Sequence, residues 1–285
     1  MEIRECPVVL VHGWKSHPGI WKRFIPLITG ESLPVWSFGY DRMNGASLAD
    51  LAAALEQFIR KMQDETGYYG KIDIVGHCMG TCVSRYMLEV FDKKERTLKV
   101  RQLIGLGPPN NGSSIAELIC DPVHGTGKIR ELSGSFFPHE CNPVTDTIVQ
   151  EFRPGSSRMR LLASAGLRPD VAYRIILTGN PAREPGFFPV FDGMTWQYSR
   201  ASGWKRTYRG DGIVPHTDSF IGGVGLDIFP ANGNGFLHEP LLYCHFNLPK
   251  NPEIMLRVME YLSNPCTRSY SVCPERSIVR MGTME

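Results

Sequence analysis

The stretch that most constrains this chain covers residues 72–83, Ile72-Asp73-Ile74-Val75-Gly76-His77-Cys78-Met79-Gly80-Thr81-Cys82-Val83. An apolar run rich in β-branched residues stops at a glycine, and helical spacing begins directly behind it. Between the two sits Gly76-x-Cys78-x-Gly80, the nucleophile-elbow pattern G-x-S-x-G with cysteine in place of serine. A strand that turns abruptly into a helix strains the corner residue. Side chains two positions to either side would collide with neighbouring backbone, and glycine removes them. The central side chain then stands out over the end of a sheet. A sulfur placed there faces the N-terminus of the following helix, whose dipole and free N–H groups favour thiolate. Taken alone, these five residues also fit a buried packing cysteine in a strand–helix turn.

The surrounding pattern extends this reading. Residues 7–14 form an apolar run ending in His12-Gly13-Trp14, suited to a central parallel strand buried on both faces. Residues 34–41 read as the next strand. Over 47–63, Leu48, Leu51, Leu55, Phe58, Ile59 and Met62 recur at helical spacing, and Ser47 and Asp50 are placed to cap the helix. The elbow strand follows with its helix to about Phe91, then a strand over 100–107. Strand and helix alternate, which predicts an α/β fold: a mostly parallel central sheet with helices on both faces.

After Gly107 the regularity breaks. Short amphipathic pieces at 115–119, 145–152 and 157–162 carry more apolar residues than a solvated loop would. A lid or cap over about 110–170 is the expectation; an ordinary helical insertion packed on the sheet is the other reading. A strand returns at 172–179, and a long Gly-, Pro- and aromatic-rich loop runs to Arg209. The last strand falls at 224–229 and the closing helix at 252–262. Residues 1–263 thus read as one domain and 264–285 as a polar tail.

Composition narrows the function. The net charge of +2, with acids and bases interspersed, argues against nucleic-acid binding, which calls for a concentrated basic face. No apolar run of about 18 residues occurs, so no transmembrane segment is expected. Residues 1–7 carry no secretory pattern. The eight cysteines form no paired C-x-x-C knuckles, so neither structural zinc nor another metal or cofactor is expected. Cys120, Asp121 and His124 are metal-binding types in one turn-rich stretch, a weak grouping. Without a leader the cysteines read as reduced and the protein as cytoplasmic; in an exported chain Cys266 and Cys273 are placed to pair.

A nucleophilic cysteine requires a base, an orienting acid and donors for an oxyanion. Behind such an elbow the chain order is nucleophile, acid, histidine. Asp211 lies between Gly210 and Gly212, after the strand at 172–179. His238 lies in the apolar segment 236–242, after the last strand, and is expected to face Cys78 and donate its other N–H to Asp211. His245, seven residues on, competes as base. Asp218 and Asp192 compete as acid, although Asp192-Gly193 is also a good turn pair. The oxyanion donors are expected to be the backbone N–H groups of Met79 and Trp14, with the His12 side chain bracing its loop.

With these residues in hand, the chain resembles the α/β-hydrolases and, within that fold, the bacterial triacylglycerol lipases, over residues 8–262. The carriers are Val11-His12-Gly13, the corner at 76–80, the Pro108…Gly112-Ser113 exit, Arg153-Pro154-Gly155-Ser156, the segment 211–215 and the segment 238–242. By position the resemblance implies Cys78 as nucleophile, Asp211 and His238 as its partners, and Trp14 and Met79 as oxyanion donors. It also implies a mobile lid over an acyl pocket. The elbow departs from those lipases, which carry serine there; a cysteine is similar to polyhydroxyalkanoate synthases and dienelactone hydrolases. The implied activity is cleavage of small-molecule or lipid esters with apolar acyl chains, through a Cys-His-Asp triad and a thioester acyl-enzyme. The alternatives are an acyltransferase or polyester synthase that passes the same thioester to an acceptor, a non-catalytic ligand-binding protein of this fold, and a lipase whose serine was exchanged for cysteine.

Overall fold

The computed structural model describes residues 6–134, 136–231 and 233–264; Cys266, Cys273 and the rest of the expected polar tail lie outside the described residues. β1 (Val8–Val11) is four aliphatic side chains without solvent exposure, a composition that demands cover on both faces. α1 (Ile25–Gly30) leads to β2 (Val35–Phe38), which pairs with β1 in parallel. α2 (Leu48–Thr66) begins at the expected capping box: Ser47 accepts from the Asp50 N–H, and the Asp50 carboxylate accepts from the Ser47 N–H at 2.9 Å. It ends at Gly67, in the left-handed conformation. Leu48, Leu51, Leu55 and Ile59 line its buried side, and each contributes roughly 1.5–3 kcal/mol on burial. β3 (Ile72–His77) and α3 (Met79–Tyr86) follow, with a π-helical turn at Met87–Phe91 closing the predicted helix.

From β4 (Val100–Leu106) the chain leaves the sheet for α4 (Ser114–Ile119), α5 (Gly125–Leu132), α6 (Thr147–Glu151) and α7 (Ser157–Ala165). The apolar residues that exceed a loop's needs turn inward: Ile115, Leu118, Ile119, Leu132, Ile148 and Phe152 join the same core as the sheet. Polar anchors fix the segment at its edges. Glu151 Oε2 accepts from the Leu48 N–H at 2.6 Å, and Arg153 grips Glu117 at 2.8 and 3.0 Å.

β5 (Ala172–Thr178) returns to the sheet. The next stretch, expected as a loop, contains a hairpin of β6 (Thr195–Ser199) and β7 (Gly203–Thr207), paired antiparallel. Its Trp196, Tyr198 and Trp204 pack against one another across the two strands, a pairing that sustains strands where Gly and Pro dominate the flanks. α8 (His216–Ser219), β8 (Gly225–Phe229), α9 (Gly233–His238) and α10 (Pro252–Ser263) complete the chain.

The six-stranded sheet runs β2-β1-β3-β4-β5-β8, and every pairing is parallel. A parallel sheet gathers the carboxyl ends of its strands along one edge. His12-Gly13, Cys78 and Gly107 all lie just past such ends. Among the described residues no helix is long and apolar enough to cross a membrane. Among the described residues Cys78, Cys82, Cys120, Cys141 and Cys244 are free thiols.

Candidate active site

Cys78 sits at φ 53° and ψ −126°, a backbone conformation that non-glycine residues rarely adopt. The neighbouring glycines are steric necessities. A Cβ on Gly76 would lie 2.6 Å from the Thr81 nitrogen, and one on Gly80 would collide with the Val11 and His12 carbonyls. Gly13 belongs to the same packing problem, since a Cβ there would stand 2.9 Å from that of Cys78. The corner is tied to the sheet by the Cys78 N–H, which donates to the Leu106 carbonyl at 2.9 Å.

Asp211 is buried, and its carboxylate is fully occupied. Oδ1 accepts from the Ile213 and Val214 N–H groups at 3.0 and 2.7 Å, while Oδ2 accepts from His245 Nδ1 at 2.7 Å. The His245 N–H also donates to the Asp211 carbonyl at 2.8 Å, so backbone and side chain hold the pair together. The Cys78 sulfur lies close enough to the His245 ring to act on it electrostatically. The structure therefore places His245 against Asp211 and near Cys78, a candidate line of three residues.

His238 is not part of that line. It ends α9 on an exposed face, next to an exposed Leu237, whereas Phe236 is the residue that turns inward. On a helix, side chains two residues apart point about 200° from one another, so a buried Phe236 directs His238 to solvent. The structure thus places His245, not His238, against the Asp211 carboxylate. The competing acids are placed elsewhere as well. Asp218 accepts from the Ser114 N–H at 2.6 Å and from its hydroxyl at 3.1 Å, anchoring α4; burial pushes its carboxyl up to about 7. Asp192 is exposed and pairs with Arg206 at 3.1 Å, in a left-handed turn before Gly193.

Burial alone would lower the His245 pKa, but the Asp211 carboxylate and the Cys78 sulfur outweigh it and raise the value to about 10. An imidazolium is the partner that a thiolate nucleophile needs. His77 behaves in the opposite way. Burial pushes its ring well below the ordinary histidine value, and its neutral Nε2–H donates to the His245 carbonyl at 2.9 Å. His12 braces its loop as expected: Nδ1 bonds the Gly13 carbonyl at 2.9 Å, Nε2 accepts from the Tyr40 N–H at 3.3 Å, and the Tyr40 hydroxyl donates to the His12 carbonyl.

Two cavities meet at Trp14 and Met79. One opens on Cys78 and is lined by Ile115, Ile119, Phe136, Ile148, Phe152 and Ile213. The other shares Trp14, Met79 and Ile148 with it but adds Lys15, Asp41 and Asn44. Trp14 and Met79 both flank the sulfur, and among the described residues neither backbone N–H has an acceptor. Cys120, Asp121 and His124 do not converge: Asp121 accepts from the His124 N–H and from the Trp204 indole, while Cys120 takes Gln150.

Sequence reasoning passed over Gly107. It has φ 56°, and a Cβ there would stand 2.6 Å from Asp211 Oδ2, so the Asp211 carboxylate reaches His245 only past a bare backbone. Thr195 was also missed; its hydroxyl accepts from the Gly212 N–H at 2.8 Å and steadies the acid's loop. Neither carries a local signal, because each acts on a residue far away in sequence.

No protein-family model and no curated protein matches the chain by sequence. Solved structures do. The mature form of the Bacillus licheniformis lipase BlEst2 is 15% identical with a TM-score of 0.61, over 92% of this chain and 94% of that one. The propeptide form gives 16% and 0.63 over 93% of this chain, which spans only 52% of that longer one. Phospholipase PlaB from Legionella pneumophila gives 15% and 0.64, over 93% of this chain and 61% of that one. The fold is that of the α/β-hydrolases. At such identities the likeness speaks for the fold, and the chemistry rests on the residues described above.

Proposed function

We propose that the protein is a carboxylic-ester hydrolase for apolar acyl chains, with Cys78 as nucleophile, His245 as base and Asp211 as orienting acid. The observation that carries this reading is the His245 ring bonded to the Asp211 carboxylate and close enough to the Cys78 sulfur to feel its charge, beside an apolar cavity that opens on the sulfur. In the mechanism, the Cys78 thiolate attacks the ester carbonyl carbon, and the carbonyl oxygen takes the negative charge. The Trp14 and Met79 N–H groups receive that oxyanion. As it collapses the C–O bond breaks, and His245 protonates the departing alkoxide. The product is a thioester on Cys78. Water then gives a proton to His245 and attacks the thioester carbonyl, releasing the acid and restoring the thiolate.

The monoacylglycerol lipase of Paleococcus ferrophilus and the lipase and phospholipase above suggest lipid esters as the substrate class. The insertion over 110–170, with α4 and α6 lining the cavity, is proposed as the cover of the acyl site. A second reading is favoured by the polar cavity beyond Trp14: it offers room for an alcohol, thiol or amine that takes the acyl group in place of water. The test is intact mass after brief incubation with a short-chain nitrophenyl ester, followed by product analysis with and without added alcohol or acyl-CoA. An acyl adduct on Cys78 that is released as free acid supports hydrolysis. Diversion of the acyl group to the added acceptor supports transfer. Saturable binding with neither adduct nor turnover would overturn both.

A further inference from the structure

The residue after the oxyanion donor is held in an unusual way. Lys15 has φ 50°, a left-handed conformation for a residue with a long side chain, and such conformations persist only where the surroundings fix them. Asp146, from the insertion, meets the side chains of Lys15 and its neighbour Trp14. Its Oδ2 pairs with Lys15 Nζ at 3.0 Å, and its Oδ1 accepts from the Trp14 indole N–H at 3.3 Å. The pair is mostly out of solvent, the two side chains being 25% and 12% exposed, so it is less screened than a surface ion pair. The same Oδ1 caps α6, accepting from the Ile148 and Val149 N–H groups at 3.0 and 3.4 Å. Phe136 and Phe137, also on the insertion, close on the Trp14 ring at 5.5 and 6.0 Å. Two consecutive residues of the oxyanion loop are therefore held by one carboxylate that is also the first fixed point of α6.

We propose that Asp146 is a positioning residue for the oxyanion loop: it holds the Trp14 N–H in place only while α6 is seated, coupling the insertion to the chemistry. The proposal rests on the ester-cleaving reading above. It gives the insertion a role that a cover alone lacks. Swinging α6 away uncovers Cys78 but releases Trp14 and Lys15, so the seated state is the one that stabilises the oxyanion.

Asp146→Ser separates the two roles of the carboxylate. Serine still caps α6 but is too short to reach Trp14 and Lys15. Two rates at Cys78 discriminate: acylation by a nitrophenyl ester, which develops an oxyanion, and alkylation by iodoacetamide, which does not. Acylation and kcat should fall about tenfold or more in Asp146→Ser, while alkylation and KM stay within about twofold. Asp146→Asn keeps the cap and an acceptor for Trp14 but loses the ion pair, and should fall between. Equal acylation in all three forms, or acylation and alkylation falling together, would overturn the proposal. If the native chain is alkylated but never acylated, the ester-cleaving reading fails. The latch is then judged by hydrogen exchange at Ser16, whose N–H donates to the Gly13 carbonyl at 3.3 Å. Faster exchange in Asp146→Ser supports the latch, and unchanged exchange rejects it.

Discussion

The corner at residues 72–83 and the segment at 230–250 feed the same candidate site, yet they are specified by different physics. At the corner, the main constraints are local and steric. Gly76 must be bare because Thr81, five positions on, occupies the space of its Cβ. In the later segment two histidines stand in apolar company, and nothing within a few residues of either decides between them. His245 is selected by partners 34 and 168 positions away, Asp211 and His77. Steric rules over a few residues leave a pattern in the sequence. Hydrogen bonds across the fold do not.

The largest expected effect tests the corner. Cys78→Ala should lower ester turnover by about 10⁴-fold or more while substrate still binds, measured by steady-state hydrolysis of one short ester and by equilibrium binding. Full activity would leave Cys78 as a packing residue. Cys78→Ser sharpens the same point. In a site shaped around sulfur it should lose most activity, because serine needs its proton removed in step with attack. A gain in hydrolysis, with slow deacylation of the native thioester, would mark a serine site that carries cysteine.

The second test breaks the comparison directly. His245→Ala should cost about 10³- to 10⁴-fold in kcat, and His238→Ala should stay within about twofold. The reverse outcome would return the base to the position read from the sequence.

Asp211→Asn comes next, with a loss of about 10²- to 10⁴-fold in kcat and an unchanged fold by circular dichroism. Its sharper readout is the His245 titration. Asp211 is the first of the groups raising that pKa, so the ring should titrate at lower pH in Asp211→Asn, as followed by imidazole NMR shifts. The sign for stability follows from the same shift. A histidine whose folded pKa lies above its unfolded value stabilises the fold in full below about pH 6.5, and that contribution fades as pH rises toward its folded value of about 10. Denaturation midpoints of native chain and Asp211→Asn should therefore converge in that window. A gap that stays constant from pH 6 to 10 would contradict the assigned pair.

Smaller effects separate folding from chemistry. Gly80→Ala, which crowds the Val11 and His12 carbonyls, should lower stability by about 1–3 kcal/mol in denaturant titration. Gly107→Ala meets the acid's oxygen, and should reduce kcat by a larger factor than Gly80→Ala for the same loss of stability. Equal ratios for the two would mean that Gly107 only packs. Asp192→Asn, on an exposed turn, should leave both quantities unchanged.

The sequence by itself determined the alternation of strand and helix, the capping box at Ser47 and Asp50, the glycine-flanked corner and the candidacy of Asp211. Most of these are decided by side-chain spacing or by steric exclusion over a few residues, whereas Gly80 clears the Val11 and His12 carbonyls from across the sheet. It did not determine α5, whose inward-turned Gly125 and Leu132 gain their burial from the fold around them, nor the β6–β7 hairpin, which aromatic contacts sustain in a stretch that reads as loop. The proposed base belonged to this second class. His238 and His245 present similar neighbours along the chain, and only the meeting of the two loops at the sheet's edge decided that the His245 N–H donates to the Asp211 carbonyl while its ring bonds the carboxylate. A histidine acquires such a role from groups that converge on it in space, and convergence is the property a linear pattern does not encode.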